Sequence, residues 1–372
     1  MKQYIFFIIC CLFFNQNNAQ QFIYPVADFE NGNQLMVIYQ KSLEDVELWI
    51  WDATDHYAVK GLSSFLIPAN LRILPSGKGF SFIDRGYIKI KEFEKRSART
   101  LPIYEPIGLF SNMNWINEDS FYFVAREGDF FQIFQSDLEA NIQRLTYDCA
   151  DALYPQKTNY SLFYIKRDQN NQFSIIRTLW NPVPINSKLI MSIEDEVIIE
   201  GTDEQLCFLK IIDDQKGFFI KAPLAKTDNN SVYLFSCYHL FCSEKKWVTK
   251  KLFDFKIPAQ YITGLQRLYE SIEPFLPNYT CKNLIYFVDW NNKSQQFDLS
   301  KFDILQDSTE IITNKQENLY RCESKKIFAP YIHKSKIHCG LILENERNFS
   351  QLFQKKFTTE NVMFELITFD QK

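Results

Sequence analysis

Three features of the 372-residue sequence predict an all-β fold, specifically a β-propeller of four-stranded antiparallel blades. Aromatic residues make up 16% of the chain and include 35 Phe, whereas Gly occurs only 11 times. Aromatic and β-branched residues in short alternating runs favour strands over helices. A turn followed by an apolar strand recurs about every 40 to 45 residues, the period typical of propeller blades. Helical periodicity is clear in one segment only.

The first 20 residues have the composition typical of a secretory signal peptide. Lys2 precedes an apolar run over residues 4–14, and a polar stretch ends at Ala19. Because this run is shorter than the ~20 residues that span a bilayer, we predict cleavage near Ala19 or just after it. A lipid anchor on Cys10 or Cys11 is the weaker alternative, since both lie inside the apolar run and neither follows a small residue.

The remaining chain, 21–372, is predicted to form a single β-propeller domain outside the cytoplasm, either periplasmic or secreted. Its charges are interspersed and the net charge of the whole chain is −4, so no basic field indicates a nucleic-acid partner. No membrane span is expected once the signal peptide is removed. Seven cysteines remain after cleavage, an odd number at a density that does not indicate a disulfide framework.

The repeat is clearest at four turns, Asn31-Gly32, Ser76-Gly77, Glu118-Asp119 and Thr158-Asn159. Their first residues are 45, 42 and 40 positions apart. More divergent copies occur at 212–222, with Asp214-Gln215 in the turn, and at 277–289 and 333–345. Seven turns predict seven blades, with six or eight as the alternatives.

Each clear unit continues as a hairpin and then a third apolar strand. In this alignment Leu62, Leu101 and Leu145 occupy one equivalent position. In-phase apolar positions suit sheets stacked face to face, because each blade buries both faces against its neighbours. One helix is predicted over 261–275, where apolar residues recur on one face between Pro258 and Pro274.

The third and fourth units, residues 114–156, resemble the TolB-like β-propeller repeat. That family has a Trp, a polar turn, an apolar strand, an Asp-led hairpin ending in Arg-Leu-Thr, and an Asp-rich link to a Pro. The matching residues are Trp115, Asn117-Glu118-Asp119, Asp137, Arg144-Leu145-Thr146, Asp148, Asp151 and Tyr154-Pro155. In the second unit, Pro75-Ser76-Gly77-Lys78 is close to the family's turn.

The resemblance is good over residues 70–165 and weaker elsewhere. The fourth unit lacks the Trp, and no α/β domain precedes the repeats as it does in the protein that names the family. The resemblance implies a propeller that binds other proteins outside the cytoplasm, and it implies no common chemistry. Within this pattern, residues 148–154 are expected to cross a face of the propeller, and Pro155 to begin the next blade.

Motifs that could carry chemistry are weak. A phosphate loop needs a Gly separated by four residues from the Gly-Lys pair at 77–78, but Arg72 holds that place and no helix pattern follows. Cys237, His239 and Cys242 could bind zinc, but in a continuous strand Cys242 faces away from the other two. We expect packed free thiols there, with a disulfide as the alternative. His333 and His338 would likewise be split by strand alternation.

Acidic runs at 194–196, 203–204 and 213–214 lack the spaced loop and Gly of a calcium site, so we expect solvated turns. The chain has no Gly-x-Ser-x-Gly elbow. We therefore predict no catalytic, metal-binding or cofactor-binding residue and no cofactor.

The predicted function is a non-catalytic scaffold that binds a protein or peptide partner at a rim or central channel. An apolar or aromatic patch on the loop face would favour it. The alternative is a propeller enzyme of lyase or glycoside hydrolase type, which needs converging His, Arg and carboxylate groups at the channel mouth. A lectin-type propeller is third, because the six Trp residues do not recur in phase.

Overall fold

The protein is all-β in a computed structural model and divides into two compact units, residues 1–66 with 313–372 and residues 67–312. The structure describes residues 21–28, 34–40, 46–52, 57–64, 72–84, 87–92, 95, 97–104, 113–158, 160–185, 188–202, 204–222, 232–262, 275–279, 283–312, 325–333, 336–343, 361–363 and 367–370. The signal-peptide prediction for residues 1–20 lies outside these residues.

The smaller unit begins with strands β1 (Gln21–Asp28), β2 (Gln34–Gln40), β3 (Val46–Asp52) and β4 (Tyr57–Ser64). The larger unit then forms five sheets in succession. The first two are β5 (Arg72–Ile73), β6 (Gly79–Asp84), β7 (Tyr87–Glu92) and β8 (Arg99–Tyr104), then β9 (Asn114–Trp115), β10 (Ser120–Glu127), β11 (Phe130–Asp137) and β12 (Ile142–Arg144).

The third and fourth sheets contain the longest strands. They are β13 (Asp151–Lys157), β14 (Ser161–Arg167), β15 (Phe173–Ile185) and β16 (Lys188–Thr202), then β17 (Gln205–Asp213), β18 (Lys216–Ala222), β19 (Val232–Ser243) and β20 (Lys246–Pro258). The fifth sheet comprises β21 (Asn278–Tyr279), β22 (Leu284–Asn291), β23 (Gln296–Asp303) and β24 (Ser308–Ile311). The chain returns to the smaller unit with β25 (Lys325–His333), β26 (Lys336–Leu343), β27 (Asn361–Met363) and β28 (Ile367–Asp370).

In each sheet of the larger unit, strands consecutive in the chain pair antiparallel to give a four-stranded blade. The second strand of a blade is apolar on both faces because both faces are covered. In β10, for example, all five residues from Phe121 to Ala125 are buried. Such continuous apolar runs are typical of a sheet packed between two layers. The structure therefore confirms the predicted propeller of four-stranded antiparallel blades.

The first two blades of the larger unit share one apolar core. Leu101 and Ile103 from one blade pack with Met113, Phe121 and Phe123 from the next. Leu101 is fully buried, as the in-phase pattern predicts. Leu145 occupies the equivalent position in the next blade, where its N–H continues the ladder by donating to the Ile133 carbonyl at 2.8 Å.

The described strands form six sheets, so the predicted count of seven blades is wrong and the alternative of six is the one observed. The sheet of the smaller unit runs in the order β25-β26-β1-β2-β3-β4-β27, and β28 pairs with β26. Gln21 in β1 lies opposite Leu343 in β26. The hairpin containing the seventh predicted turn therefore extends the sheet of the first repeat instead of starting another blade.

The predicted turns at 76–77, 118–119 and 214–215, which the structure describes, join the first and second strands of their sheets, whereas Asn31-Gly32 and Asn159 lie outside the described residues. At 74–79, the Leu74 carbonyl accepts from the Gly77 N–H at 2.8 Å, and Gly77 has a φ of 71°. Strand β6 follows this turn directly, so the Gly-Lys pair lies in a strand connection, as expected. Asn117 organises the next turn by accepting from the N–H groups of Asp119 at 2.9 Å and Ser120 at 2.8 Å.

The predicted helix falls mostly outside the described residues. Ala259–Tyr261 form a short 3-10 turn after β20, and residues 263–274 are not described. Within the part of the chain that the structure describes, no helix has the length and apolar character needed to cross a membrane.

Candidate functional site

The ends of the first strands in the larger unit, where each strand meets its turn, form the candidate site. These first-strand ends lie close together. Asn114 in β9 donates from its side chain to the Pro155 carbonyl in β13 at 3.0 Å, and β13 also packs against β17. Arg72 in β5 is near enough to Lys210 in β17 to influence its titration. First strands from four blades thus contribute to one region.

Three cationic residues occupy these strands: Arg72, Lys157 and Lys210. Burial lowers the pKa of the Lys210 ammonium, and the positive charge of Arg72 lowers it further. Burial also lowers the pKa of Lys157, whose ammonium lies 5.8 Å from the centre of the Tyr122 ring. Both lysines are nevertheless accessible to water by area.

The two acidic residues of these described first strands are already engaged. Asp151 is 7% exposed and accepts from the Phe131 N–H at 2.8 Å and from Arg167 Nε at 2.9 Å. Asp213 accepts from the Gln215 N–H at 2.9 Å and pairs with Lys216 at 3.5 Å. The described first strands of the larger unit contain no histidine. These described first strands therefore carry three cationic residues and two acidic residues, and both acidic residues have partners.

The segment that carries the TolB-like pattern, residues 144–156, is a structural joint between two blades. Gln132 is fully buried and donates to the carbonyls of Asp148 at 3.1 Å and Ala150 at 2.8 Å. Thr146 donates to Gln132 Oε1 at 2.9 Å and accepts from the Ile133 N–H at 2.9 Å. These bonds satisfy buried polar groups across the joint.

The predicted face-crossing link is shorter than expected. Strand β13 already begins at Asp151, so only residues 145–150 connect the blades. Pro155 lies inside this strand instead of starting the blade, at a bulge where the register shifts between Leu153 and Gln156. Tyr154 has a φ of 55° at the bulge. A bulge accommodates Pro because the ladder bond is already interrupted there.

A second polar joint lies between the third and fourth blades of the larger unit. The Arg177 guanidinium donates to Ser161 Oγ at 3.0 Å and to Glu196 at 3.3 Å, and lies 3.7 Å from Asp214 in the next blade. It also lies 5.9 Å from the centre of the Trp247 ring. The side chain of Arg177 is 19% exposed, so this cluster resembles a packed interface more than an open site.

The Cys-His motif does not assemble a metal site. Cys237 is buried, Cys242 is half-buried, and both are free thiols as expected. His239 stacks on Phe218 with ring centres 5.1 Å apart, and burial and two lysines lower its pKa. No group of three His, Cys, Asp or Glu residues suited to a metal occurs among the described residues.

His333 and His338 lie on the two strands of the β25–β26 hairpin, not on one strand as expected. His333 pairs with Lys336, whereas His338 pairs with Tyr331. The histidines are therefore not directly opposite one another.

The described residues of the acidic runs contact neighbouring strands and joints. The run at 194–196 lies within β16 and not in a solvated turn, which corrects the expectation. There Asp195 accepts from Thr178 Oγ1 at 2.6 Å, and Glu196 binds Arg177. Glu204 of the second run pairs with Lys221, and Asp214 of the third accepts from Thr158.

No family model matches the chain, and no curated protein matches it. Among solved structures, an oligogalacturonate lyase from Vibrio parahaemolyticus superposes with a TM-score of 0.51 and 8% identity, over 88% of this chain and 92% of the lyase. A putative TolB from Agrobacterium tumefaciens has a TM-score of 0.43 and 15% identity, over 62% of this chain and 81% of that chain.

A second TolB, from Acinetobacter baumannii, has a TM-score of 0.44 and 12% identity, over 78% of this chain and 62% of that chain. Solved TolB proteins are among its structural neighbours. At 8% identity, the lyase shows a shared fold only.

The sequence analysis predicted no site residue, so it did not identify the cationic residues of the first strands. A positional signal was present, because Lys157 directly precedes the turn at Thr158, and Arg72 and Lys210 each stand four residues before their turns at Ser76 and Asp214. Comparing residues at a distance of four from each turn, instead of seeking contiguous motifs, would have grouped Arg72 with Lys210, and Lys157 would have been found only by its position at the turn itself.

Proposed function

We propose that this chain is a non-catalytic β-propeller that binds a protein or peptide partner outside the cytoplasm, and that an acidic segment of the partner binds at the first-strand ends. The supporting observations are that Arg72, Lys157 and Lys210 lie on the first strands of three different blades, and that Arg72 is close enough to Lys210 to lower its pKa. A partly desolvated ammonium gains more from a carboxylate than a fully hydrated one does.

Exposed apolar side chains beside this region support a macromolecular partner. Tyr160 follows Lys157 by three residues, lies in the adjoining turn and is 70% exposed. Tyr is enriched at protein interfaces, where it contributes contact area and a hydrogen-bonding group. A partner that combines carboxylates with apolar residues fits this surface better than a small ion does.

An enzyme of lyase or glycoside hydrolase type is the alternative. Such an enzyme could use the same cations to bind an acidic chain, but it also needs a group that transfers protons. In the described first strands of the larger unit, no histidine is present and both carboxylates have donors or cations as partners. These features favour binding without catalysis.

Location outside the cytoplasm rests on the amino-terminal 20 residues. The expected result of N-terminal sequencing, after expression with these residues, is a mature chain that begins close to residue 20 and leaves the cytoplasm. Retention of an intact amino terminus in the cytoplasmic fraction would contradict this part of the proposal.

The binding proposal can be tested by selecting peptides that bind the mature chain from a random displayed library. We expect the enriched peptides to be acidic and their binding to weaken as salt rises from about 0.05 to about 0.5 M, because screening shortens the range of charge interactions. The paired variant Lys157→Gln/Lys210→Gln should bind at least about ten-fold more weakly.

The matched control is Lys246→Gln/Lys293→Gln, which removes the same charge from exposed positions outside the first strands. It should bind like the wild type, and an unchanged unfolding midpoint confirms that each variant is folded. Enrichment of neutral or basic peptides, or equal weakening by both pairs of substitutions, would refute the proposed site.

A further inference from the structure

Rows of residues that cross the four strands of a blade differ in charge from one blade to another. Residues directly opposite one another in antiparallel strands share a face of the sheet. In the third blade of the larger unit, one such row contains Gln156, Phe163, Arg177 and Glu196. In the fifth blade of that unit, the matching row contains Asn278, Tyr286, Lys301 and Glu310.

In both of these rows, the glutamate of the fourth strand neutralises the cation of the third strand. Arg177 lies 3.3 Å from Glu196, and Lys301 lies 2.9 Å from Glu310. Opposite charges directly across an antiparallel pair stabilise it. The third and fifth blades therefore satisfy this basic side chain internally.

The fourth blade of the larger unit has the same row without an acid. The row, which we call the fourth-blade row, contains Lys210, Phe218, His239 and Lys250. Lys250 occupies the place of the glutamate and stands opposite His239. Lys216 precedes Phe218 by two residues in β18 and so lies on the same face. Burial lowers the pKa of His239, and Lys216 and Lys250 lower it further.

The carboxylates beside this row offset its charge only in part. Asp213 lies 3.5 Å from Lys216, and Asp307, in the turn between β23 and β24, lies 2.9 Å from Lys250. The four side chains are 43–55% exposed, and exposed ion pairs contribute little stability, so these lysines can exchange to another carboxylate. With Lys210, three lysines stand against two carboxylates.

Ring surfaces lie between the cations of the row. Phe218 packs on Tyr279 of β21 with ring centres 4.9 Å apart, and His239 packs on Phe241 at 5.0 Å. His239 is partly exposed, and Val248 beside it is 41% exposed. A partner that combines carboxylates with apolar residues fits this surface.

We propose that an acidic segment of the protein or peptide partner lies along the fourth-blade row, from Lys210 at the first-strand end outwards to Lys250. This inference rests on the proposed function, because Lys210 belongs to both surfaces. Neighbouring strands lie about 4.8 Å apart, so the row spans roughly 14 Å. An extended peptide rises about 3.3 Å per residue, so about four to five residues of the partner cover the row. A carboxylate of the partner takes the place of the glutamate that the other two blades supply.

Protonation of His239 couples this binding to pH. The charged groups that face His239 are Lys216 from β18 and Lys250 from β20, and Asp307 from the fifth blade reaches it through Lys250. The two lysines oppose protonation in the free protein, whereas a bound carboxylate favours it. The acidic segment should therefore bind more tightly as the pH falls from about 8 to about 6, a range in which its carboxylates stay ionised.

A fluorescein-labelled peptide of eight glutamates, followed by fluorescence anisotropy on the mature chain, tests the inference. Lys250→Glu supplies the glutamate found in the neighbouring blades, and we expect it to weaken binding about ten-fold or more at pH 6. Lys293→Glu makes the same charge change in the exposed turn between β22 and β23 and should bind like the wild type. In the free protein, Lys250→Glu should raise the pKa of His239 in an NMR titration, which also shows that the variant is folded.

His239→Gln isolates the pH dependence. The wild type should bind the octaglutamate peptide at least about three-fold more tightly at pH 6 than at pH 8, and the variant should lose this difference. A difference that persists in the variant refutes the role of His239.

Lys157→Gln distinguishes failure of this inference from failure of the proposed function, because Lys157 lies outside the fourth-blade row. Weaker binding by Lys157→Gln together with unchanged binding by Lys250→Glu would overturn the row and leave the first-strand site standing. The reverse result would support the row and overturn the first-strand site. No binding of octaglutamate to the wild type, or equal binding by Lys250→Glu and Lys293→Glu, also overturns the inference, whatever peptides the displayed library yields.

Discussion

The joint between the second and third blades of the larger unit yields a quantitative prediction at Asp151. Its carboxylate is almost fully buried and accepts from the Phe131 N–H of one blade and from Arg167 of the next, at 2.8 and 2.9 Å. A hydrogen bond to a charged group contributes about 1.5–3 kcal/mol. In Asp151→Ala, water can partly replace the lost carboxylate as an acceptor for Arg167, because the Arg167 side chain is 25% exposed. We therefore expect this substitution to lower the free energy of unfolding by roughly 2–4 kcal/mol.

Urea unfolding of the mature chain measures this loss as a lower midpoint. Asp151→Asn retains an acceptor for the Phe131 N–H but loses the charge, so it should cost less than the alanine variant. Asp129→Ala removes the same charge from an exposed turn and should change stability by no more than about 0.5 kcal/mol. A loss at Asp151 below about 1 kcal/mol, or equal to that at Asp129, would show that the joint does not depend on this carboxylate.

Three further predictions concern other parts of the larger unit and the buried thiols. Burial and nearby lysines lower the pKa of His239 in the folded state, so the unfolded state binds more protons as the pH falls below about 6.5. The free energy of unfolding should therefore decline below that pH, and His239→Phe should remove this part of the pH dependence. Gly79→Ala would place a Cβ 2.3 Å from the Lys91 carbonyl oxygen and should cost about 1–3 kcal/mol or more in thermal or urea unfolding. Exposed Cys149 should react with an alkylating reagent in the native protein, whereas burial raises the pKa of three other thiols, which should react only after unfolding: Cys207, Cys237 and Cys339.

Local features could be predicted well because their chemistry is local. Turn residues such as Asn117 bind backbone groups within three positions, so the sequence alone identifies the turn. The alternation of apolar residues likewise predicts strands such as β10, whose burial follows from stacking between neighbours. These features give the propeller class and the hairpins of the clear repeats.

The blade count depends on a contact between distant parts of the chain. Pairing of β1 with β26 joins Gln21 to Leu343, and no local signal distinguishes that hairpin from the start of another blade. The length of the link before β13 was predicted wrongly for a related reason. Asp151 is a polar residue in a buried strand, and its partner Arg167 is supplied by the next strand.

The candidate site could not be predicted from contiguous motifs. Arg72, Lys157 and Lys210 belong to different repeats, and each alone is an ordinary charged residue in a strand. They become a candidate site only when the first strands approach one another, which places Arg72 close enough to Lys210 to lower its pKa.

Site-specific cross-linking tests the central claim most directly. Photoreactive benzoylphenylalanine replaces Tyr160, beside the first-strand ends, or Tyr147, in the link between blades; these positions are 70% and 69% exposed. With an acidic peptide from the displayed library, the account predicts cross-linking from position 160 and little from position 147. Equal cross-linking from both positions, or cross-linking from 147 alone, would contradict it.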